Sequence, residues 1–321
     1  MATTQRSNAI DFCRFIGVIC VILAHTNISP FIFNLRQFDV VMLVFVSALS
    51  FTYAKPINTW KDYSNYVNHR FRRLIIPVWL FLTLYFLLSK VTGRYFTIET
   101  VISSYLLING IGYVWIFRVL FICSLINPLL LYLVKKLDVK KIVIILFVMI
   151  TGNEGLNYLV STLPGSIFKI GLTYVLLYTL GYGIISLFGI NYRFSNYKQN
   201  NMWLVCMTVM FGVSYIVFNG ALIQDFKFPP QLYYYSYGLI ITFVLMCLFT
   251  KSNVKSKLIT LFSKYSFYAY FSHIFIIEFN VFNVNSLNII KPIMVVIYAL
   301  ALGCTYGLCK ERIKLWIKKQ S

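Results

Sequence analysis

Asp11, Arg14 and His25 lie in one apolar stretch near the start of the chain. Together a carboxylate, a guanidinium and an imidazole can hold an anion and move a proton. An imidazole titrates near neutral pH, so His25 can serve as a general base or take up a group covalently. On a helix turning about 100° per residue, His25 stands about 20° around from Arg14, and Asp11 about 60° from Arg14. All three fall on one narrow face, with Arg14 and His25 roughly 16 Å apart along the axis. An ionisable group at the centre of a membrane helix costs about 2.5–3.5 kcal/mol on insertion scales, and such groups mark function by default. The stripe reads as a water-lined passage with an anion site low down and a base higher up. The plainer alternative is an Asp11–Arg14 pair neutralised within a bundle, with His25 reaching the interface.

Other ionisable residues sit in or beside later apolar stretches. Arg118 lies about five residues inside the outer edge of one such span, which favours an inward-facing guanidinium. His273 and Glu278 share another. They stand about 140° apart on an ideal helix and form no simple face pair; His273 taken alone suits packing. Asp39 opens the second stretch. Arg70, Arg72 and Arg73 cluster immediately before the third. Adjacent arginines entering a helix suit phosphate, whose oxygens a guanidinium meets bidentately. Their plainer use is anchoring at the cytoplasmic face.

These residues need elements to position them, and composition says which. Of 321 residues, 59% are hydrophobic and 12% charged, against about a quarter charged in soluble domains. The mean hydropathy is +0.76. Apolar runs long enough to cross a bilayer, about 20 residues each, recur throughout. The spacing predicts an all-α integral membrane protein, a single polytopic domain over 1–321 with about ten transmembrane helices. The expected spans are Asn8–Thr26, Phe38–Ala54, Leu74–Lys90, Tyr113–Val134, Lys141–Val160, Ile167–Gly189, Met202–Phe218, Leu232–Thr250, Ser266–Phe282 and Pro292–Cys309. The third is expected to open just before Pro77, and Pro128 to kink the fourth. Gly152, Asn153 and Glu154 interrupt the fifth.

The net charge of +20 sits in the short gaps between spans, a pattern of topology signals facing anionic lipid. A nucleic-acid groove needs a contiguous polar surface, which is lacking. With the N-terminus inside, 21 lysines and arginines, from Arg6 to Lys318 and Lys319, face the cytoplasm. Five, Arg36, Lys90, Arg94, Lys227 and Lys291, face outward. Both termini are then cytoplasmic. The first stretch carries Asp11 and Arg14, which an ordinary cleavable signal would not. With connections this short, no separate soluble catalytic domain is expected. The seven cysteines lie in or beside apolar stretches without a CxxC pair; they read as small buried hydrophobes rather than disulfides or metal ligands.

Several segments, in order, resemble a known family. Ile10-Asp11-Phe12-Cys13-Arg14, followed by Leu23-Ala24-His25-Thr26, resembles the opening of the membrane-bound acyltransferase family 3, whose marker is an arginine and a histidine with ten residues between. Phe45-Val46-Ser47-Ala48 is similar to its Phe-x-Ser-Gly, with alanine replacing glycine. Arg70-Phe71-Arg72-Arg73-Leu74-Ile75-Ile76-Pro77 is similar to its Arg-x-x-Arg-Leu-x-x-x-Pro. Trp115-Ile116-Phe117-Arg118-Val119-Leu120 with Pro128, Phe228-Pro229-Pro230 with Tyr233 and Tyr234, and Ser266-Phe267 through Tyr270 to His273 resemble further family segments. The resemblance runs from about Asn8 to the tenth span and is weakest between about Val139 and Asn201.

The resemblance implies a multi-pass O-acyltransferase of a bacterial cell (inner) membrane. Such an enzyme moves an acyl group, usually acetyl, from cytoplasmic acyl-CoA to a hydroxyl of a cell-surface glycan or its lipid-linked precursor. Acetyl-CoA would be a donor substrate; no permanently bound cofactor and no metal are implied. Partners would be the acyl-CoA, the carbohydrate acceptor and membrane lipid, not nucleic acid. On this reading Arg72 and Arg73 hold the donor's phosphates. His25 is the base or the acyl carrier, Arg14 orders the donor's entrance and Asp11 balances Arg14. Arg118 is the candidate oxyanion or acceptor ligand, with His273 and Glu278 beside it in that class. Two other functions fit buried charge in short-looped bundles: a glycolipid flippase or transporter, and a glycan polymerase. The polymerase usually needs a large outer loop.

Overall fold

The computed structural model describes residues 8–108, 110–252, 255–281 and 290–320. Arg6, Asn109 and the expected end of the ninth span at Phe282 lie outside the described residues, as do the side chains of Lys318 and Lys319. Among the described residues the chain is helical without a β-strand. The helices are α1 (Asn8–Ala24), α2 (Pro30–Leu35), α3 (Asp39–Phe51), α4 (Trp60–Val91), α5 (Ile98–Tyr105), α6 (Trp115–Lys136) and α7 (Val139–Thr162). After them come α8 (Ile167–Gly171), α9 (Tyr178–Phe194), α10 (Tyr197–Val217), α11 (Leu232–Ser252), α12 (Lys257–Glu278) and α13 (Ile290–Gln320).

Among the described residues, eight helical segments are long and apolar enough to cross a membrane: Pro30–Phe51, Trp60–Val91, Trp115–Lys136, Val139–Thr162, Ile167–Phe194, Tyr197–Val217, Leu232–Ser252 and Ile290–Ile317. The expected first and ninth spans, α1 and α12, are not in this set. Helix α1 is short, at 17 residues, and α12 is dotted with lysine, serine, tyrosine and histidine. They are also the helices that carry Asp11, Arg14 and His273. Helix α1 falls short in length and α12 in apolarity.

Three local expectations are corrected. Helix α4 starts at Trp60, not Leu74. Its first turns are polar, and it is opened by a capping box in which Thr59 and Asp62 satisfy each other's backbone N–H. Reading apolar runs alone misses such a start. Pro77 is therefore inside a 32-residue helix rather than at its mouth. Residues Gly152 to Glu154 do not interrupt α7, which runs continuously from Val139 to Thr162.

The chain divides into two compact units. One takes the chain up to Leu43 and from Val244 onward; the other is Val44–Phe243. In the first unit α12 packs on both α1 and α13. Their meeting is a core of Val18, Ile22, Ile276, Val295 and Ala299. Gly303 and Gly307 let α13 approach α12 closely: a Cβ at Gly303 would fall 2.4 Å from the Ala269 nitrogen, and one at Gly307 2.2 Å from the Tyr265 ring. In membranes such small residues set how near two helices lie. Gly303→Val should accordingly cost about 1–3 kcal/mol through overpacking. Thermal unfolding of the purified protein in detergent measures it, and an unchanged transition would show that this approach is not tight.

In the second unit α6 packs on α9 and α4, and α9 on α7. Gly189 of α9 lies against α3, where a Cβ would come 2.4 Å from the Phe45 carbonyl oxygen and 3.2 Å from the Ala48 Cβ. Phe45-Val46-Ser47-Ala48 thus packs on α9, and Gly189 leaves the space that Ala48 needs.

Candidate active site

In the first unit the polar groups of α1 are tied to α12. Ser263 Oγ donates to Asp11 Oδ1 at 2.8 Å. Arg14 Nη1 reaches the same carboxylate oxygen at 3.5 Å and the Ser263 oxygen at 3.4 Å. Asp11 is almost fully buried, whereas the Arg14 side chain keeps 23% of its exposure. A buried carboxylate therefore anchors a guanidinium that still reaches outward. Phe12 stacks on Phe249 and Phe15 on Phe262, flanking the anchor. Cys13, beside them, is buried and donates to Met246 Sδ at 3.6 Å, which agrees with its reading as a packed hydrophobe.

His25 lies just beyond the last residue of α1. The closing turn is tight: His25 N–H donates to the Ile22 carbonyl and Thr26 N–H to the Leu23 carbonyl, each at 3.1 Å, and Thr26 Oγ1 donates to Leu23 as well. The imidazole is half-buried. It stacks on the His273 ring, with centroids 5.4 Å apart and planes 25° apart. His273 is fully buried and meets Tyr270 edge-on at 4.9 Å. Sequence reasoning treats His273 as a separate packing group; the fold brings the two imidazoles face to face. Glu278, the last residue of α12, is half-buried. Asp39 pairs with Arg36 at 2.5 Å, both buried, and the Arg36 guanidinium lies over Phe33. Arg36, expected among the outward-facing loop cations, is thus a structural ion partner.

The remaining candidates are in the second unit. Arg72 and Arg73 are exposed on α4. Arg72 Nε donates to Asn68 Oδ1 at 3.1 Å, and the Arg70 guanidinium lies over the Tyr66 ring. They form a basic segment inside a continuous helix, with Arg72 and Arg73 about 100° apart around it. Arg118, in the first turn of α6, is buried. Its Nη1 donates to the carbonyls of Leu107 at 2.7 Å and Ile108 at 3.3 Å.

Sequence reasoning missed two groups. Ser263 joins Asp11 and Arg14, yet a serine in a membrane helix gives no signal by itself. Asn153 and Glu154 were legible, since an ionisable residue within an apolar stretch asks for a partner. Asn153 Nδ2 donates to the Pro230 carbonyl at 3.0 Å, and Glu154 Oε1 accepts from the Leu232 N–H at 2.8 Å. Together they fasten the Phe228-Pro229-Pro230 segment and the start of α11 to α7.

A family description of an acyltransferase domain, family 3, matches residues 7–309. Neither the curated proteins nor the solved structures gave a match.

Proposed function

The chain belongs to the acyltransferase family 3 over nearly its whole length, and from that premise we propose that it transfers an acyl group, acetyl in the first instance, from acyl-CoA to a sugar hydroxyl. The observation that carries this reading is His25. It is a half-buried imidazole in a tight turn, backed by a second imidazole, at the far end of a helix whose other end holds the Asp11–Ser263–Arg14 cluster. A sugar hydroxyl is a poor nucleophile at neutral pH, so a base must take its proton as it attacks the thioester carbon. His25 accepts that proton. The C–O bond forms, the C–S bond breaks, and the leaving thiolate of CoA takes the proton back from the imidazolium. In the two-step form a His25 nitrogen attacks the thioester carbon, the C–N bond forms as the C–S bond breaks, and the CoA thiolate leaves with the imidazole proton; the sugar hydroxyl then takes the acyl group, the C–O bond forming as the C–N bond breaks, and its proton returns to the imidazole.

Arg72 and Arg73 hold the phosphates of CoA, for which exposed guanidinium groups on a cytoplasmic helix face are suited. Arg14, held by Asp11, orders the donor's arm. The acceptor is a cell-surface glycan or its lipid-linked precursor, and the protein resides in a bacterial inner membrane. Purified protein in detergent should consume acetyl-CoA slowly without acceptor, and faster with it. No thioester consumption under either condition would leave a glycolipid flippase as the better reading. Mass analysis of surface glycan from cells with and without the gene identifies the acylated sugar.

The orientation rests on lysine and arginine asymmetry. Single cysteines placed at Asp225 should react with an impermeant maleimide in intact cells, while those at Lys61 or Lys255 should not. Reaction at Lys61 or Lys255 would invert the topology and put the proposed CoA site on the wrong side.

A further inference from the structure

We propose that the second unit holds a binding site for a negatively charged sugar, in which Arg118 and Lys227 are the buried cations and aromatic rings are the walls. The inference deepens the acyl-transfer reading and rests on it: the acceptor is a saccharide bearing a phosphate or a carboxylate.

The guanidinium of Arg118 is held on three sides. Its Nη1 end is fixed by the Leu107 and Ile108 carbonyls. Leu107 has φ 58°, a left-handed conformation that a leucine rarely adopts, so the loop is bent to present those carbonyls. Tyr174 and Tyr178 lie against the guanidinium, each with its ring centre 4.7 Å from Cζ. Tyr174 belongs to a widened π-helical stretch, Leu172–Leu177, that runs straight into α9. Such turns are rare and concentrate at functional sites. The fourth side is the Nε–Nη2 edge. Both atoms are buried and lack a hydrogen-bond acceptor; the Tyr178 hydroxyl lies near the group without completing a bond of ordinary geometry. This edge carries two parallel N–H donors, the fork that takes a carboxylate or phosphate bidentately. A residue only 9% exposed with two donors unmet is costly to bury, and an anionic ligand on that edge removes the cost.

A second cation belongs to the same cluster. From Tyr178 the rings continue to Tyr182 at 5.8 Å, then to Trp115 at 6.5 Å and Phe228 at 4.9 Å. Lys227 Nζ lies 5.7 Å from the Trp115 ring centre and is 4% exposed. Trp115 and Tyr174 are half-buried and Phe228 is exposed, so the cluster opens to the surface on an aromatic rim. Ring faces of that kind stack on the C–H faces of a sugar. The site thus joins a partly exposed aromatic rim to the buried Arg118 and Lys227, which fits a sugar phosphate or sugar acid better than a neutral sugar.

Isothermal titration of the full-length protein in detergent tests this. The probes are glucose 1-phosphate, glucuronate, methyl glucoside, inorganic phosphate and a short-chain phosphatidylglycerol. The two anionic sugars should bind about 10- to 100-fold more tightly than methyl glucoside. Arg118→Gln should erase that difference. Trp115→Leu, at a half-exposed rim position, should weaken glucose 1-phosphate and leave inorganic phosphate unchanged; it keeps the test open if Arg118→Gln does not fold. Methyl glucoside binding as well as the anionic sugars would overturn the proposal. So would wild-type affinity in Arg118→Gln, or phosphatidylglycerol competing as well as glucose 1-phosphate, which would make the site a lipid headgroup site. Acetyl-CoA consumption is measured in parallel. Consumption without anionic-sugar binding refutes this inference alone, whereas sugar binding without consumption refutes the acyl-transfer reading and, with it, the acceptor assignment.

Discussion

His25→Ala is expected to abolish acylation of the glycan while the protein still inserts and accumulates. Removing a positioned base typically costs about 10²–10⁴-fold in rate. The group lies past the end of α1 and is half-buried, so its truncation opens no large cavity in the core of Val18, Ile22 and Ile276. His273→Ala should cost less, because that ring is fully buried behind His25 and acts by holding it. His273→Phe, which keeps a ring there, should recover part of the loss. Incubation with labelled acetyl-CoA and no acceptor separates the two chemistries: label retained on His25 identifies an acyl carrier, and no label identifies a base. Normal acylation by His25→Ala would remove the mechanism altogether.

Arg72→Ala combined with Arg73→Ala should raise the KM for acetyl-CoA about 10- to 100-fold with kcat nearly unchanged. On the proposed donor site, each guanidinium removed would be a charge-assisted contact to a phosphate. Both side chains are exposed, so salt screens them. The KM of the native protein should therefore rise with ionic strength more steeply than that of the variant, and the gap between them should narrow. A lost kcat at constant KM would instead place these arginines at the reacting atoms.

The helical fold was legible because apolar runs of bilayer length leave few alternatives. Element ends were legible only where polarity changes with the helix. At α4 it does not: the helix begins in a polar segment at Thr59 and passes into apolar sequence at Leu74 without a break. Asp11 and Arg14 were legible on α1 from helical angle, whereas His25, expected on the same helical face, lies in the turn past Ala24, where that angle no longer places it. The completion of the site by Ser263 and His273 was not legible, because those residues are about 250 positions away in the chain and a periodicity says nothing about which helix comes next to which. Arg118 stood out as a buried charge. Its tyrosines did not, since aromatic residues in apolar helices are ordinary; the π-helical stretch Leu172–Leu177 that holds Tyr174 and leads into Tyr178 shows only in the structure.

The first unit is built from the two ends of the chain, α1 at the start and α12 with α13 at the finish. A ribosome therefore delivers His25, just past α1, long before its partner on α12, with all of the second unit synthesised between them. Helix α1 is mostly apolar but short and carries Asp11 and Arg14, charges that are costly in lipid until α12 packs on it. Its buried aspartate meets a hydroxyl partner only when Ser263 emerges. The pair of imidazoles cannot form until α12 has been made, so on the proposed mechanism the activity would begin only then, and a chain stopped earlier would be inert.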